Sequence, residues 1–392
     1  MKNILVQGVL WMGLIAATFL IGCQSNGEEI VQHLNQLNDS IRSVYAPDKR
    51  VAVYDISLDY NHDSLTIQGE TDQPQALSAL LSVLNNESAK VVNQVVTLPD
   101  SSVGAYQYAL VNNSVCNIRS AAKHSSELAT QAILGTSLRL LKLTEEWYLV
   151  QTPDGYISWV DHGGVQLMTA SEQLMWSKSP QIIYMHNYGN VYLDENESGV
   201  LSDIVLGARL VKRSETKDHI AVQFPDMRVG YVRKSEIQDF TAWREAVQPS
   251  GDLVVDYAKD LLGSPYLWGG TSTKGMDCSG FTKTAYLMNG YVIPRDASQQ
   301  VSAGVVVDPD LQFEGLEKGD LLFFGRAATD STKQRVTHVG IWMGEEQFIH
   351  ASQMVRISSI DTASEHYDAF NKNRYLGSRR YLGNEIGISR WY

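Results

Sequence analysis

A chain of 392 residues is longer than one ordinary hydrophobic core organises, so about two to four domains are expected. Its 44% hydrophobic residues exclude a disordered chain, and three cysteines are too few for a disulfide framework at this length. The formal charge of −12 argues against nucleic-acid binding, which needs a positive face against phosphate.

In chain order, Lys2 precedes a charge-free run from Ile4 to Gly22, and "LIGC" then ends on Cys23. A short basic start, an apolar stretch and small residues before a cut make a secretory signal. The ending resembles a bacterial lipoprotein signal, which implies that residues 1–23 direct export and that Cys23 carries the lipid. A single membrane-spanning anchor is the alternative, because 19 uncharged residues nearly cross a bilayer. Either way the folded part is expected outside the cytoplasm, tethered to a membrane.

Residues 24–105 read as a small α+β domain without evident chemistry. After the linker "QSNGEE", Ile30, Leu34, Leu37, Ile41 and Val44 recur at helical spacing. "VAVYDISLDY" and "SLTIQG" alternate as strands around the turn "NHD". A helix entered at Pro74 and a strand at "KVVNQVVTL" complete the unit.

The next stretch contains a repeat. "ILGTSL" at Ile133 matches "VLGARL" at Val205, and "VQTPDGYISWV" at Val150 matches "VQFPDMRVGYV" at Val222. Both offsets are 72 residues (205 − 133 and 222 − 150). Each copy is short, strand-rich and turn-punctuated, which leaves room only for a small barrel or sandwich. The pattern resembles tandem bacterial Src-homology-3-like domains, at 106–165 and 166–240. Cys116, in the extended "SVCNIRS", is expected in the core of the first.

"DFTAWREAVQPSG" reads as a linker into a last domain, 241–392, and "DLVVDYAKDLLG" as a helix closed by Gly263. In "SPYLWGGTSTKGMDCSGFTKTAYLMNG", Asp277 is a good N-cap and a helix follows, with Phe281, Ala285 and Met288 on one face. Cys278 then sits in the first turn, where unpaired backbone N–H groups favour a thiolate and offer to hold an oxyanion. Downstream, "RVTHVGIWMGEEQFIHASQ" alternates like two strands, with His338 and His350 each six residues from Gly344. A hairpin there brings the imidazoles together, one to take the thiol proton and one to orient its partner. Zinc is a second reading of the same three residues, although no C-x₂-C or H-x₃-H cluster accompanies them.

"YLWGG…DCSGF", "IPRDASQQ", "KGDLLFF", "THVGIWMG" and "FIHAS", in this order, resemble the NlpC-type cell-wall cysteine peptidases over about residues 250 to 385. The resemblance implies a multidomain α+β protein. Its papain-like catalytic domain would follow two small β-barrels and the N-terminal α+β domain. It implies Cys278 as nucleophile, His338 as general base, His350 as the third polar residue and Tyr266 as the tyrosine beside the nucleophile.

With the tandem barrels, residues 106–385 are similar to γ-D-glutamyl-L-diamino acid endopeptidases. These process peptidoglycan stem peptides that carry a free amino-terminal L-Ala. An ammonium group in a confined site needs carboxylates and acceptors around it. The resemblance places Asp296, Glu127 and Tyr156 there and makes Ser279 a further candidate for holding the substrate. Ala297 stands where many relatives have serine, which removes one contact. No metal or organic cofactor is implied; the partners are peptidoglycan-derived peptides and, through the lipid, a membrane. A non-catalytic wall-binding scaffold and a hydrolase of intact peptidoglycan are the competing expectations.

Overall fold

The computed structural model describes residues 27–61, 64–86 and 90–391. The expected signal in residues 1–23, with Cys23, and part of the "NHD" turn lie outside these residues. The described chain is mixed α/β and builds several separate sheets.

The helix Gly27–Tyr45 packs Leu34 against Ile56, Leu65, Ile67 and Leu80 of a three-stranded sheet. Strands Tyr54–Asn61 and Ser64–Thr71 pair antiparallel, whereas Lys90–Thr97 returns parallel after the helix Pro74–Leu84. The apolar stripe of the first helix ends at Ile41, since Val44 is 71% exposed. Leu98 leaves this core and buries with Leu141, Leu149 and Ile157 of the next sheet. Lys142 adds an ion pair to Glu70 at 2.7 Å. The N-terminal layer is thereby docked on its neighbour by apolar burial, the dominant favourable term in such contacts.

Two seven-stranded antiparallel sheets follow. The first runs in spatial order Val165–Met168, Tyr108–Val111, Ser137–Leu143, Trp147–Gln151, Ile157–Asp161, Val115–Arg119, Leu128–Ile133. The second, spanning Gln181 to Asp239, repeats that order strand for strand. A register shift at Leu140/Lys142 recurs at Lys212/Ser214, 72 residues on (212 − 140). The sequence repeat is therefore a repeat of hydrogen bonding, because the same alternation of buried residues selects the same pairing. Cys116 is buried under the first sheet, and burial pushes its thiol up to about 12.

One expectation needs correcting. The stretch read as a linker contains the helix Phe240–Ala246, whose Phe240 and Trp243 are buried with Met288, Val292 and Trp391. Two large aromatic rings hold this segment against the last part of the chain.

That last part is a six-stranded sheet in the order Val305–Val306, Tyr375–Arg380, Leu321–Arg326, Arg335–Gly344, Gln347–Ser352, Met354–Ser359. The helices Gly251–Asp260 and Cys278–Leu287 share one core with it through Val254, Phe281, Ala285, Phe323, Ile341 and Ile349.

Candidate active site

Cys278 opens the helix Cys278–Leu287, and the Asp277 carboxylate accepts from the Gly280 N–H at 2.8 Å. Close approach explains two glycines of the motif. A Cβ on Gly269, at φ +78°, would lie 2.1 Å from the Leu128 carbonyl oxygen; on Gly280 it would lie 2.0 Å from that of Gly270. The helix start is thus pressed against the segment at Gly270, and that segment at Gly269 against the strand Leu128–Ile133 of the first sheet. A buried Arg295 ties the two together: it donates to both Asp277 oxygens at 3.0 and 2.7 Å and to Thr130 Oγ1 at 3.0 Å. Such a bidentate pair fixes orientation as well as charge.

The thiol is mostly covered, at 7% exposure, yet it lines a cleft of about 640 Å³. Burial, then the Asp277 carboxylate, push its pKa up to about 12. The Val339 and Ser279 amides and Arg295 pull the other way without prevailing. The expected thiolate is therefore corrected: desolvation outweighs the helix start, and the resting group is a thiol.

His338 and His350 lie on the hairpin Arg335–Gly344 and Gln347–Ser352, joined at Glu345 and Glu346. Both turn residues have positive φ, 52° and 56°, the twist that suits a two-residue hairpin. Ile341 pairs with Ile349, and His338 Nε2 meets His350 Nδ1 at 2.7 Å. The tautomers follow from what lies behind. Asp368 accepts from Ser358, so the Ser358 oxygen accepts from His350 Nε2 at 3.0 Å. His350 Nδ1 is then the acceptor and His338 Nε2 the donor, which leaves His338 Nδ1 with a free lone pair. Burial, then His350, hold the His338 pKa well below its usual value, so the ring is a neutral base. Among the described residues, no group of three or more His, Cys, Asp or Glu is placed to hold a metal ion.

Glu127, Tyr156, Tyr266 and Asp296 line the same cleft as Cys278. Glu127 Oε1 accepts from Trp268 Nε1 at 2.6 Å, joining the first sheet to the segment before Cys278. Burial, then the Asp296 carboxylate, push the Tyr156 hydroxyl up to about 12, so it remains a donor. Asp296 caps the short helix Ala297–Gln300, its N–H donating to Gln299 Oε1 at 3.1 Å. Ser279 lines the cleft too, but its hydroxyl donates to Asp277 at 3.2 Å and accepts from Arg295 at 3.0 Å. Its side chain is engaged in positioning the helix start, so any hold on substrate falls to its main chain.

Sequence reasoning missed Arg295, Trp268, Ser358, Asp368 and Arg50. The first two sit inside motifs already quoted, where a buried-arginine or indole role gives no periodic signal. Arg50, which also lines the cleft, lies more than two hundred residues from Cys278 and left no local sign.

The NlpC/P60 family model matches residues 263–380, and that of the bacterial dipeptidyl-peptidase Sh3 domain matches residues 118–164. A γ-D-glutamyl-L-lysine dipeptidyl-peptidase of Bacillus cereus is 31% identical over 270 residues, 66% of this chain and 77% of that protein. The chain belongs to the NlpC/P60 family. Dipeptidyl-peptidase 6 of Lysinibacillus sphaericus is 27% identical over 64% of this chain and 92% of its own length. The crystal structure of a Bacillus cereus NlpC/P60 protein superposes with a TM-score of 0.59 at 26% identity, covering 70% of this chain and 99% of that one. The NlpC/P60 match contains Tyr266, Cys278, Ser279, Asp296 and both histidines; the Sh3 match contains Glu127 and Tyr156. Residues 27–105 fall in neither.

Proposed function

We propose that this protein is a cysteine peptidase that hydrolyses the γ-D-glutamyl–diamino acid bond of peptidoglycan stem peptides bearing a free amino-terminal L-Ala. One observation carries the reading: a single cleft is lined by Cys278, the carboxylates of Glu127 and Asp296, and Tyr156. The printed names of the two Bacillus and Lysinibacillus relatives support the same reaction class.

The free enzyme holds a neutral thiol and a neutral imidazole. As the peptide excludes water, the Cys278 proton passes to His338 Nδ1 and the sulfur attacks the γ-carbonyl carbon. Amides at the helix start take the oxyanion, each such donor being worth roughly 3 kcal/mol. His338 returns the proton to the leaving amine, giving a thioester and the diamino-acid product. Water, deprotonated by the same nitrogen, then releases the dipeptide acid and restores the thiol. The ammonium of L-Ala sits between Asp296, Glu127 and the Tyr156 hydroxyl. A longer or acylated amino end meets a closed wall and leaves Glu127 and Asp296 without the ammonium they would hold.

The "LIGC" ending at Cys23 supports export and lipid anchoring at the cell envelope. Mass spectrometry of products from L-Ala-γ-D-Glu-diaminopimelate, its lysine analogue and their N-acetylated forms tests the proposal. Cleavage of the free peptides alone is the expected result. Undiminished cleavage of the acetylated forms overturns the amino-end pocket, and no cleavage of any overturns the peptidase.

A further inference from the structure

Residues 27–105 match neither family model, yet one of their side chains enters the cleft. Arg50 Nη1 donates to Asp296 Oδ2 at 2.7 Å and to Ser298 Oγ at 2.8 Å. Its Nε and Nη2 clasp the two oxygens of Asp48 at 2.8 and 2.7 Å. Asp48 in turn accepts from Gln299 Nε2 at 2.9 Å. The main chain is held as well, since the Arg50 carbonyl accepts from the Ile157 N–H at 2.7 Å, next to Tyr156. Of these partners, Asp296 and Ser298 line the cleft with Arg50. A planar guanidinium gripped from two sides has little freedom to swing away.

We infer that Arg50 is a specificity-determining residue: the N-terminal layer is a third wall of the active site, and its guanidinium closes the amino end of the substrate channel. This deepens the proposed function and rests on it. Asp296 has one oxygen occupied by Arg50, while Oδ1 stands 4.0 Å from Arg295. One carboxylate oxygen, Glu127 and a tyrosine hydroxyl suit a compact primary ammonium. An extra residue or an acyl group before L-Ala must displace Arg50 and break its charge-assisted hydrogen bonds to Asp48 and Asp296. Exclusion therefore works through an occupied space, and the occupant is supplied by a part of the chain outside the matched family regions.

The full-length protein is assayed with L-Ala-γ-D-Glu-L-Lys and with the same peptide extended by one glycine at its amino end. The readout is the ratio of their kcat/KM values, together with the unfolding midpoint. In Arg50→Ala the ratio falls at least about tenfold because the extended peptide is cut faster in absolute terms. Arg50→Lys, which keeps the cation and most of the reach, holds the ratio near that of the wild type. Simple loosening of the fold lowers both rates and raises neither. A well-folded Arg50→Ala with the wild-type ratio overturns this inference alone. A wild-type ratio near one overturns the amino-end reading and the inference with it. If Arg50→Ala lowers the unfolding midpoint by several degrees, Arg50→Gln, which keeps the stem and loses the charge, decides by the same ratio.

Discussion

The two seven-stranded sheets share strand order and a β-bulge at a constant offset of 72 residues, yet only the first lines the cleft. At that offset Glu127 corresponds to Gly199 and Tyr156 to Arg228 (199 − 127 and 228 − 156). Arg228 pairs with its own neighbour Asp226 at 2.6 Å and lies 4.8 Å over the Phe224 ring, a self-contained surface arrangement. Asp154 and Asp226 also correspond, but their uses differ. Asp154 reaches Lys283 on the nucleophile helix at 2.6 Å, whereas Asp226 accepts from Asn112 of the first sheet at 2.8 Å. Buried alternation builds the scaffold twice; a few turn residues decide which copy lines the cleft.

Four substitutions test how far the two sheets differ in use. Cys278→Ala marks the ceiling that no change in either sheet reaches, with a loss of at least about 10⁴-fold in kcat/KM on the free stem peptide. Glu127→Gln, in the first sheet, raises KM by about 10- to 100-fold through the lost charge on the ammonium, with a smaller change in kcat. A KM within twofold of wild type removes Glu127 from the pocket.

Between pH 7 and pH 4 a pH effect is expected from the buried histidines of the six-stranded sheet. Burial, then Arg356, lower the His350 pKa from 6.5 to about 4. The unfolded chain binds a proton near 6.5 that the folded chain refuses until about 4, so stability falls as pH drops through that window. Unfolding midpoints measured from pH 7 to pH 4 should decline, and His350→Asn should flatten the decline. An unchanged slope in that variant assigns the effect elsewhere. The smallest change is expected from Arg228→Ala, the second-sheet counterpart of Tyr156. It should shift KM less than about twofold and stability within about 0.5 kcal/mol, as exposed substitutions usually do. A KM rise matching that of Glu127→Gln would erase the distinction between the copies.

Much of the site was legible because its signals are local. Asp277 before Cys278 marks a helix start by capping chemistry alone, and Gly344-Glu345-Glu346 between alternating runs marks a hairpin. The repeat was visible because one alternation of apolar residues recurs at a fixed offset. Other features depend on what lies across space. Desolvation, which keeps Cys278 a thiol, comes from walls supplied by distant segments. The His338 tautomer depends on Ser358 and Asp368 on other parts of the chain. The helix Phe240–Ala246 looked like a linker because its two buried rings find their partners only in the folded protein.

The order of residues thus carried the secondary structure around Cys278 and the duplicated sheet, since capping, alternation and turn conformation act over a few residues; the roles expected of Cys278, His338 and His350 rested on the family resemblance. Only the tertiary structure decided the protonation state of that set and the placement of Arg50 beside Asp296, 246 positions away. Charge, burial and exclusion are properties of a volume, and that volume exists only once three separate regions of the chain have closed around it.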